Sequence, residues 1–125
     1  MLYWIVFSMG VGRIILGLAP FVAAGATSRL MGFPAAHDTP TARLMARLFG
    51  VRDIGLGVLV FWALRTGGPA LPFAIVFNAL TDFGDLFATS IPIVRRQGID
   101  RAALTSLGFA LTAGVGWLVV YSQLA

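Results

Sequence analysis

Four long apolar runs dominate the sequence, and short polar segments separate them. Each run is long enough to cross a bilayer as a helix, because about 20 apolar residues span the hydrocarbon core. The pattern therefore predicts an all-α fold, a bundle of four transmembrane helices that occupies residues 1–125 as one domain. The predicted helices cover residues 2–24, 40–64, 70–94 and 101–124.

The connections carry signals for helix boundaries and neighbours. Thr39 followed by Pro40 is typical of an N-cap and a first helical position, and Asp100 is expected to cap the last helix. The turn at residues 65–69 is short, so the second and third helices are expected to be antiparallel neighbours. Residues 27–40 form the longest connection. Aromatic residues near both ends of the chain fit belts at the membrane interface, and they are Tyr3, Trp4, Trp117 and Tyr121.

Five charged residues interrupt the apolar runs near their middles. An ionised side chain there costs about 2.5–3.5 kcal/mol on insertion scales, so such residues face protein or water and have partners. We therefore expect a charged midplane inside the bundle. With two arginines and three aspartates, its charge is −1 if every group is ionised. The five residues are Arg13, Arg52, Asp53, Asp82 and Asp85.

Small residues flank two of these charges at the same helical spacing. Small side chains let membrane helices approach closely, so the two faces are expected to close on each other around an Arg13–Asp53 pair. Arg52 lies about 100° around the helix from Asp53 and is expected to have a different partner. The two patterns are Gly10-x-x-Arg13-x-x-x-Gly17 and Gly50-x-x-Asp53-x-x-x-Gly57.

A polar stripe follows one side of the third helix. Such a stripe on a membrane helix faces the bundle interior or a cavity. It consists of Asn78, Thr81, Asp82, Asp85 and Thr89, which share an arc of about 100°. Together with the charges of the first two helices, it predicts a ligand or proton site formed by Asp82, Asp85, Asn78, Arg13, Arg52 and Asp53.

The composition agrees with a membrane protein and restricts the chemistry. Only 11% of the residues are charged and 58% are hydrophobic, whereas a soluble domain carries about 25% charged residues. The absence of cysteine excludes disulfides and Cys-ligated metals. His37 is the only histidine, and a lone histidine is a poor metal site. We therefore expect no metal and no cofactor.

The arginines outside the midplane predict the orientation. Six lie in the first and third connections, and only Arg65 lies in the second. The positive-inside rule then places both termini outside the cytoplasm. All basic residues are arginine and all acidic residues are aspartate, a bias typical of GC-rich bacterial genomes, so we expect a bacterial inner membrane. Contacts with anionic head groups are expected for Arg43, Arg47, Arg95 and Arg96.

One segment resembles a known family signature. Residues 50–57, GVRDIGLG, are similar to the G-[VI]-R-D-x-x-L-G signature of a bacterial family of small four-helix membrane proteins, loosely DoxX-like in architecture. Two further similarities are Arg13-Ile14-Ile15-Leu16-Gly17 in the first helix and an aspartate in the third, Asp82 or Asp85. The resemblance implies a four-helix membrane fold and no particular activity.

Three interpretations of the charged midplane remain open. The favoured one is a structural network that fixes helix register, because buried ion pairs often specify packing, in a non-enzymatic subunit or homo-oligomer. The second is a proton-coupled transporter or channel for a small polar or cationic solute, since paired carboxylates exchange ligands with protons. The third is an enzyme on a lipophilic substrate with an aspartate as acid or base. Expected partners are the lipid bilayer and either a second copy of the chain or a larger membrane complex. The net charge of +4 does not indicate nucleic acid, because the arginines form no basic stripe.

Overall fold

A computed structural model describes residues 1–124, and its regular structure is entirely helical. A short 3-10 turn at Ala35–His37 separates the second and third of five α-helices. The all-α prediction is therefore confirmed. The helices are α1 (Leu2–Val22), α2 (Ala24–Met31), α3 (Pro40–Thr66), α4 (Ala70–Val94) and α5 (Asp100–Ser122).

Three of these helices, α1, α4 and α5, are long and apolar enough to cross a membrane. This indicates a membrane protein. The longest helix, α3, has 27 residues but is not among the three. Every 18-residue stretch of α3 contains Arg52 and Asp53 together with Arg47 or Arg65, which is too much charge for an apolar span. The fourth predicted span is therefore not confirmed by length and composition.

Helix boundaries agree with the sequence signals in one place and differ in two. Thr39 caps α3, because its Oγ1 accepts a hydrogen bond from the Ala42 N–H at 3.1 Å. The last helix begins at Asp100 with Ile99 as its N-cap, so the prediction that Asp100 caps it is wrong. The long connection contains an unpredicted helix, α2, which ends at Gly32 in the left-handed conformation (φ 101°). An eight-residue segment is too short for a clear helical period in the sequence.

The four long helices form two pairs, α1 with α3 and α4 with α5, and contacts within a pair are the most extensive. Glycines bring α1 and α3 into backbone contact. A Cβ atom on Gly17 would lie 2.5 Å from the Gly50 carbonyl oxygen, and one on Gly57 would lie 2.9 Å from the Gly10 carbonyl oxygen. No side chain fits there. The predicted closure of the two glycine-flanked faces is confirmed.

The space between the two pairs is filled in one half of the bundle only. In what we call the packed half, Val6, Val60, Ile75 and Trp117 form a core and are at most 1% exposed. The interfacial position expected for Trp117 is therefore wrong, because its ring fills the space between helices. The other half, next to α2, contains a half-open cavity of about 440 Å³ and is called the hollow half.

Candidate functional site

The six residues predicted as a ligand or proton site lie together between the packed half and the hollow half. Arg13, Asp53 and Asp82 are at most 5% exposed, whereas Arg52 is 38% exposed. We call this group the charged layer. It consists of Arg13 on α1, Arg52 and Asp53 on α3, and Asn78, Asp82 and Asp85 on α4.

Arg13 connects α1 to α4 through all three of its guanidinium nitrogens. Nη1 and Nη2 each donate to a different Asp82 oxygen at 2.7 Å, and Nε donates to the Asn78 side-chain oxygen at 3.0 Å. Asn78 in turn donates to the Ala74 carbonyl oxygen at 2.9 Å, which fixes its amide. Two parallel charge-assisted bonds are the strongest arrangement available to an arginine. All three nitrogens therefore have acceptors.

The pairing expected between Arg13 and Asp53 is present but secondary. Their closest nitrogen and oxygen atoms are 3.8 Å apart, compared with 2.7 Å between Arg13 and Asp82. The two glycine-flanked faces meet as expected, but the guanidinium turns toward α4, where Asp82 offers both oxygens. The helical spacing places Arg13 near both carboxylates and does not determine which one it prefers.

Arg52 forms the second bridge between the helix pairs. Nη1 and Nη2 donate to the two Asp85 oxygens at 2.9 and 2.7 Å, and Nη2 also donates to Asp53 at 3.3 Å. Arg52 is expected to have a partner of its own, because it lies about 100° around the helix from Asp53. That partner is Asp85. The guanidinium also lies over the Phe49 ring, 4.5 Å from its centre. Its Nε is buried and has no hydrogen-bond acceptor among residues 1–124.

Asp53 is the carboxylate with the weakest pairing in the charged layer. Its Oδ1 accepts the 3.3 Å bond from Arg52 and lies 3.8 Å from Arg13, although the residue is only 2% exposed. Its Oδ2 accepts no hydrogen bond within the described part of the chain. Because both arginines are bidentate to other aspartates, the excess negative charge of the layer falls on Asp53.

The cavity of the hollow half ends on the charged layer. Arg13, Asp53, Asp82 and Asp85 line one end, and the rest of the lining is mostly apolar, with three phenylalanines among it. The second end is covered by α2, which contributes Thr27, Ser28, Leu30 and Met31. The sequence pattern does not predict that α2 lines this cavity, because residues 27–40 are expected to form a connection without a helix. An apolar pocket with a few polar groups at one end is typical of sites for small molecules.

An ion pair outside the long apolar helices lies beside α2. Arg43 donates to both oxygens of Asp38 at 2.7 and 2.9 Å, and this hydrogen bonding holds the pKa of Asp38 below its usual value of 3.8. A Cβ atom on Gly25 of α2 would lie 3.0 Å from the Arg43 guanidinium, so the pair packs against α2. Arg43 therefore already has a protein partner. Contacts of lipid head groups with Arg43, Arg47, Arg95 and Arg96 stay predictions.

Comparison with known proteins gives a family without an assigned activity. The family described as "Domain of unknown function (DUF4267)" matches residues 10–122. The chain belongs to this family. The matched DUF4267 range contains the whole charged layer and every residue that lines the cavity. Searches of curated proteins and of solved structures gave no match.

Proposed function

We propose that this DUF4267 protein crosses a bacterial inner membrane four times, with α3 as the fourth span and both termini outside. In support, α3 packs along α1, and its most buried charged residue, Asp53, lies against Arg13 and Arg52. Arg43, Arg47 and Arg65 lie near its two ends, where long side chains reach the head groups. The four-helix, DoxX-like proteins that residues 50–57 resemble have the same number of spans.

Cysteine accessibility tests this topology, and the natural chain has no cysteine to remove. Thr66→Cys lies at the end of α3, next to the turn that leads to α4, and Gln97→Cys lies between α4 and α5. With intact cells, a membrane-impermeant maleimide is expected to label Thr66→Cys and to leave Gln97→Cys unlabelled until the cells are opened. Equal labelling of both variants from outside would refute the arrangement.

We propose further that the protein is a non-enzymatic module that binds a small amphipathic molecule in the hollow half. The observation that carries this proposal is the cavity of about 440 Å³ that ends on the charged layer. A lipophilic body would contact the apolar lining, and a polar end would reach Asp53. The bidentate pairs of Arg13 and Arg52 would hold Asp82 and Asp85 in place at this end, so the structural role expected for the network and the binding role are compatible.

Octanol in detergent solution is a suitable first probe. A ligand that binds only the folded state raises the melting temperature. Octanol is expected to stabilise the wild type but not Ser106→Phe, because Ser106 lines the cavity and its replacement fills it. Leu104→Phe is the matched control, since Leu104 is 56% exposed on the same helix. A shift of equal size in all three proteins would show that octanol acts through the micelle and would contradict binding.

Proton-coupled transport of a small cation is a second candidate. Its support is the presence of three carboxylates for two guanidiniums at the end of a cavity, because the missing positive charge is supplied by a proton or by a cation. Proteoliposomes with an imposed proton gradient test it. Tetramethylammonium uptake is expected to follow the gradient in the wild type and to stop in Asp53→Asn. If tetramethylammonium uptake is the same with and without the proton gradient, coupling of transport to protons is ruled out.

We also propose that the protein assembles as a homo-oligomer or in a larger membrane complex. Arg52 supports this, because its side chain is 38% exposed in the middle of α3. A second copy would shield it from lipid. Gly55→Cys, one turn along the exposed face, is expected to form disulfide-linked dimers in membranes, whereas Thr66→Cys at the helix end serves as the control. If both cysteine variants stay monomeric, a homo-oligomer that uses this face is contradicted.

A further inference from the structure

The charged side chains at the polar end of the cavity offer hydrogen-bond acceptors, and neither arginine has a free N–H directed into the cavity. Arg13 uses Nε, Nη1 and Nη2 on Asn78 and Asp82, and Arg52 uses both terminal nitrogens on Asp85 and Asp53. The Arg52 Nε is buried, and Arg52 does not line the cavity. A carboxylate or phosphate would therefore meet three aspartates and no free guanidinium donor. Anionic ligands are disfavoured by hydrogen bonding and by charge.

The free acceptor at this end is Asp53. This side chain is 98% buried, lines the cavity and has one oxygen, Oδ2, without a hydrogen-bond donor in the described chain. A buried carboxylate without full pairing is expensive, so a ligand that brings a donor and a positive charge would be stabilised there. The layer has a charge of −1 when its groups are ionised, which one monovalent cation neutralises.

We infer that the cavity selects lipophilic amines, with the ammonium group on Asp53 and the apolar body in the hollow half. The inference rests on the proposed ligand-binding function and names the ligand class for the same site. The mostly apolar lining disfavours hydrated metal cations and polyamines, because their remaining charges or bound waters would have few partners there. One ammonium group on an aliphatic or aromatic body matches both ends of the cavity.

Octylamine, octanol and octanoate test this selectivity, since they share one body and differ in the polar end. Binding to the detergent-solubilised protein is measured at neutral pH by native mass spectrometry and by the shift in melting temperature. Octylamine is expected to bind about tenfold or more tightly than octanol, because a buried charge pair adds to the apolar contacts. Octanoate is expected to bind more weakly than octanol.

The variant Asp53→Asn removes the charge and keeps the shape of the side chain. It is expected to lower the preference for octylamine over octanol to less than about threefold, while octanol binding is retained. Asp100→Asn is the matched control, because Asp100 is exposed at the start of α5 and does not line the cavity, and it is expected to keep the wild-type preference.

The outcomes separate the two proposals. If none of the three probes binds differently in wild type and Ser106→Phe, the proposed binding function itself is wrong. If octanol and octanoate bind the wild-type cavity as tightly as octylamine, the cavity binds ligands but the selection of amines is refuted. If octylamine is preferred equally in the wild type and Asp53→Asn, the assignment to Asp53 is overturned. The wild-type series decides the ligand class even if the variant does not fold.

Discussion

The packed half and the hollow half are built from the same long helices, but side chains fill the space between the helix pairs only in the packed half. Large side chains such as Ile75 and Trp117 meet in the packed half, whereas Ala88, Ala110 and Ala113 are among the residues that line the cavity. Divergence of α1 from α3 does not explain the space, because the backbone contact of Gly17 with Gly50 lies in the hollow half. The empty space therefore lies between the two helix pairs and not within the α1–α3 pair.

The charged layer separates these halves and joins the pairs. Arg13 reaches from α1 to Asp82, and Arg52 reaches from α3 to Asp85, so each bridge crosses from one pair to the other. Contact between α3 and α4 is otherwise limited. A hydrophobic core holds the pairs together on one side of the layer, and the two bridges hold them beside the cavity. The comparison therefore predicts that substitutions have unequal effects in the three regions.

The largest effect is expected for Asp82→Asn in the charged layer. It would leave Arg13, which is 5% exposed, without its bidentate carboxylate, and the expected loss of stability is about 3–5 kcal/mol. Asp85→Asn is the matched control and should be milder, because Arg52 is 38% exposed and keeps its bond to Asp53. Chemical unfolding in detergent measures both. Equal losses would show that burial does not distinguish the two bridges.

The next largest difference in stability is expected between an apolar truncation in the packed half and one in the hollow half. Ile75→Ala removes a completely buried side chain from the packed half and is expected to cost about 2–5 kcal/mol, because the core cannot collapse around the gap. Met31→Ala, in the lining of the cavity, is expected to cost less than about 1 kcal/mol, since it widens an existing space. Unfolding curves of the two variants give the difference. Losses of similar size would indicate that the hollow half is filled in the folded protein.

A smaller effect is expected where glycine permits the contact of α1 with α3. Gly17→Ala places a methyl group 2.5 Å from the Gly50 carbonyl oxygen, so the helices must separate. The expected loss of stability is about 1–3 kcal/mol. Gly12→Ala meets no atom within 4 Å and is expected to stabilise the helix by about 0.5–1 kcal/mol. Melting temperatures of the two variants should move in opposite directions. If Gly17→Ala does not lower the melting temperature, the close approach of α1 and α3 is contradicted.

The smallest effect is expected for Asp38→Asn, which loosens α2 over the hollow half. The hydrogen bond from Arg43 lowers the pKa of Asp38 below 3.8, so the ion pair contributes at neutral pH and is lost as the pH falls through that lowered pKa. Hydrogen exchange at neutral pH should therefore be faster in the amides of α2 in the variant. Asp100→Asn, at the exposed start of α5, is the control. Unchanged exchange in Asp38→Asn would mean that the pair does not hold α2.

The sequence by itself determined the long helices and the residues of the charged layer. Apolar runs of bilayer length predict helices, and charged residues inside such runs must find partners, so Arg13, Arg52 and the aspartates could be placed together. The glycine spacing further predicted the contact of α1 with α3. These features follow from the helical period and from the cost of burying charge, and both are properties of the local sequence.

Only the tertiary structure decided which carboxylate each arginine uses, where the core is empty and what covers the cavity. Asp53 and Asp82 lie on different helices, and small differences in helix position make Arg13 bidentate to Asp82 while it stays 3.8 Å from Asp53. The position of Trp117 in the core depends on neighbours that are far away in sequence. The short helix α2 depends on packing against α1, α3 and α5, because eight residues do not form a stable helix alone. Long-range packing, which no single apolar run encodes, set these features.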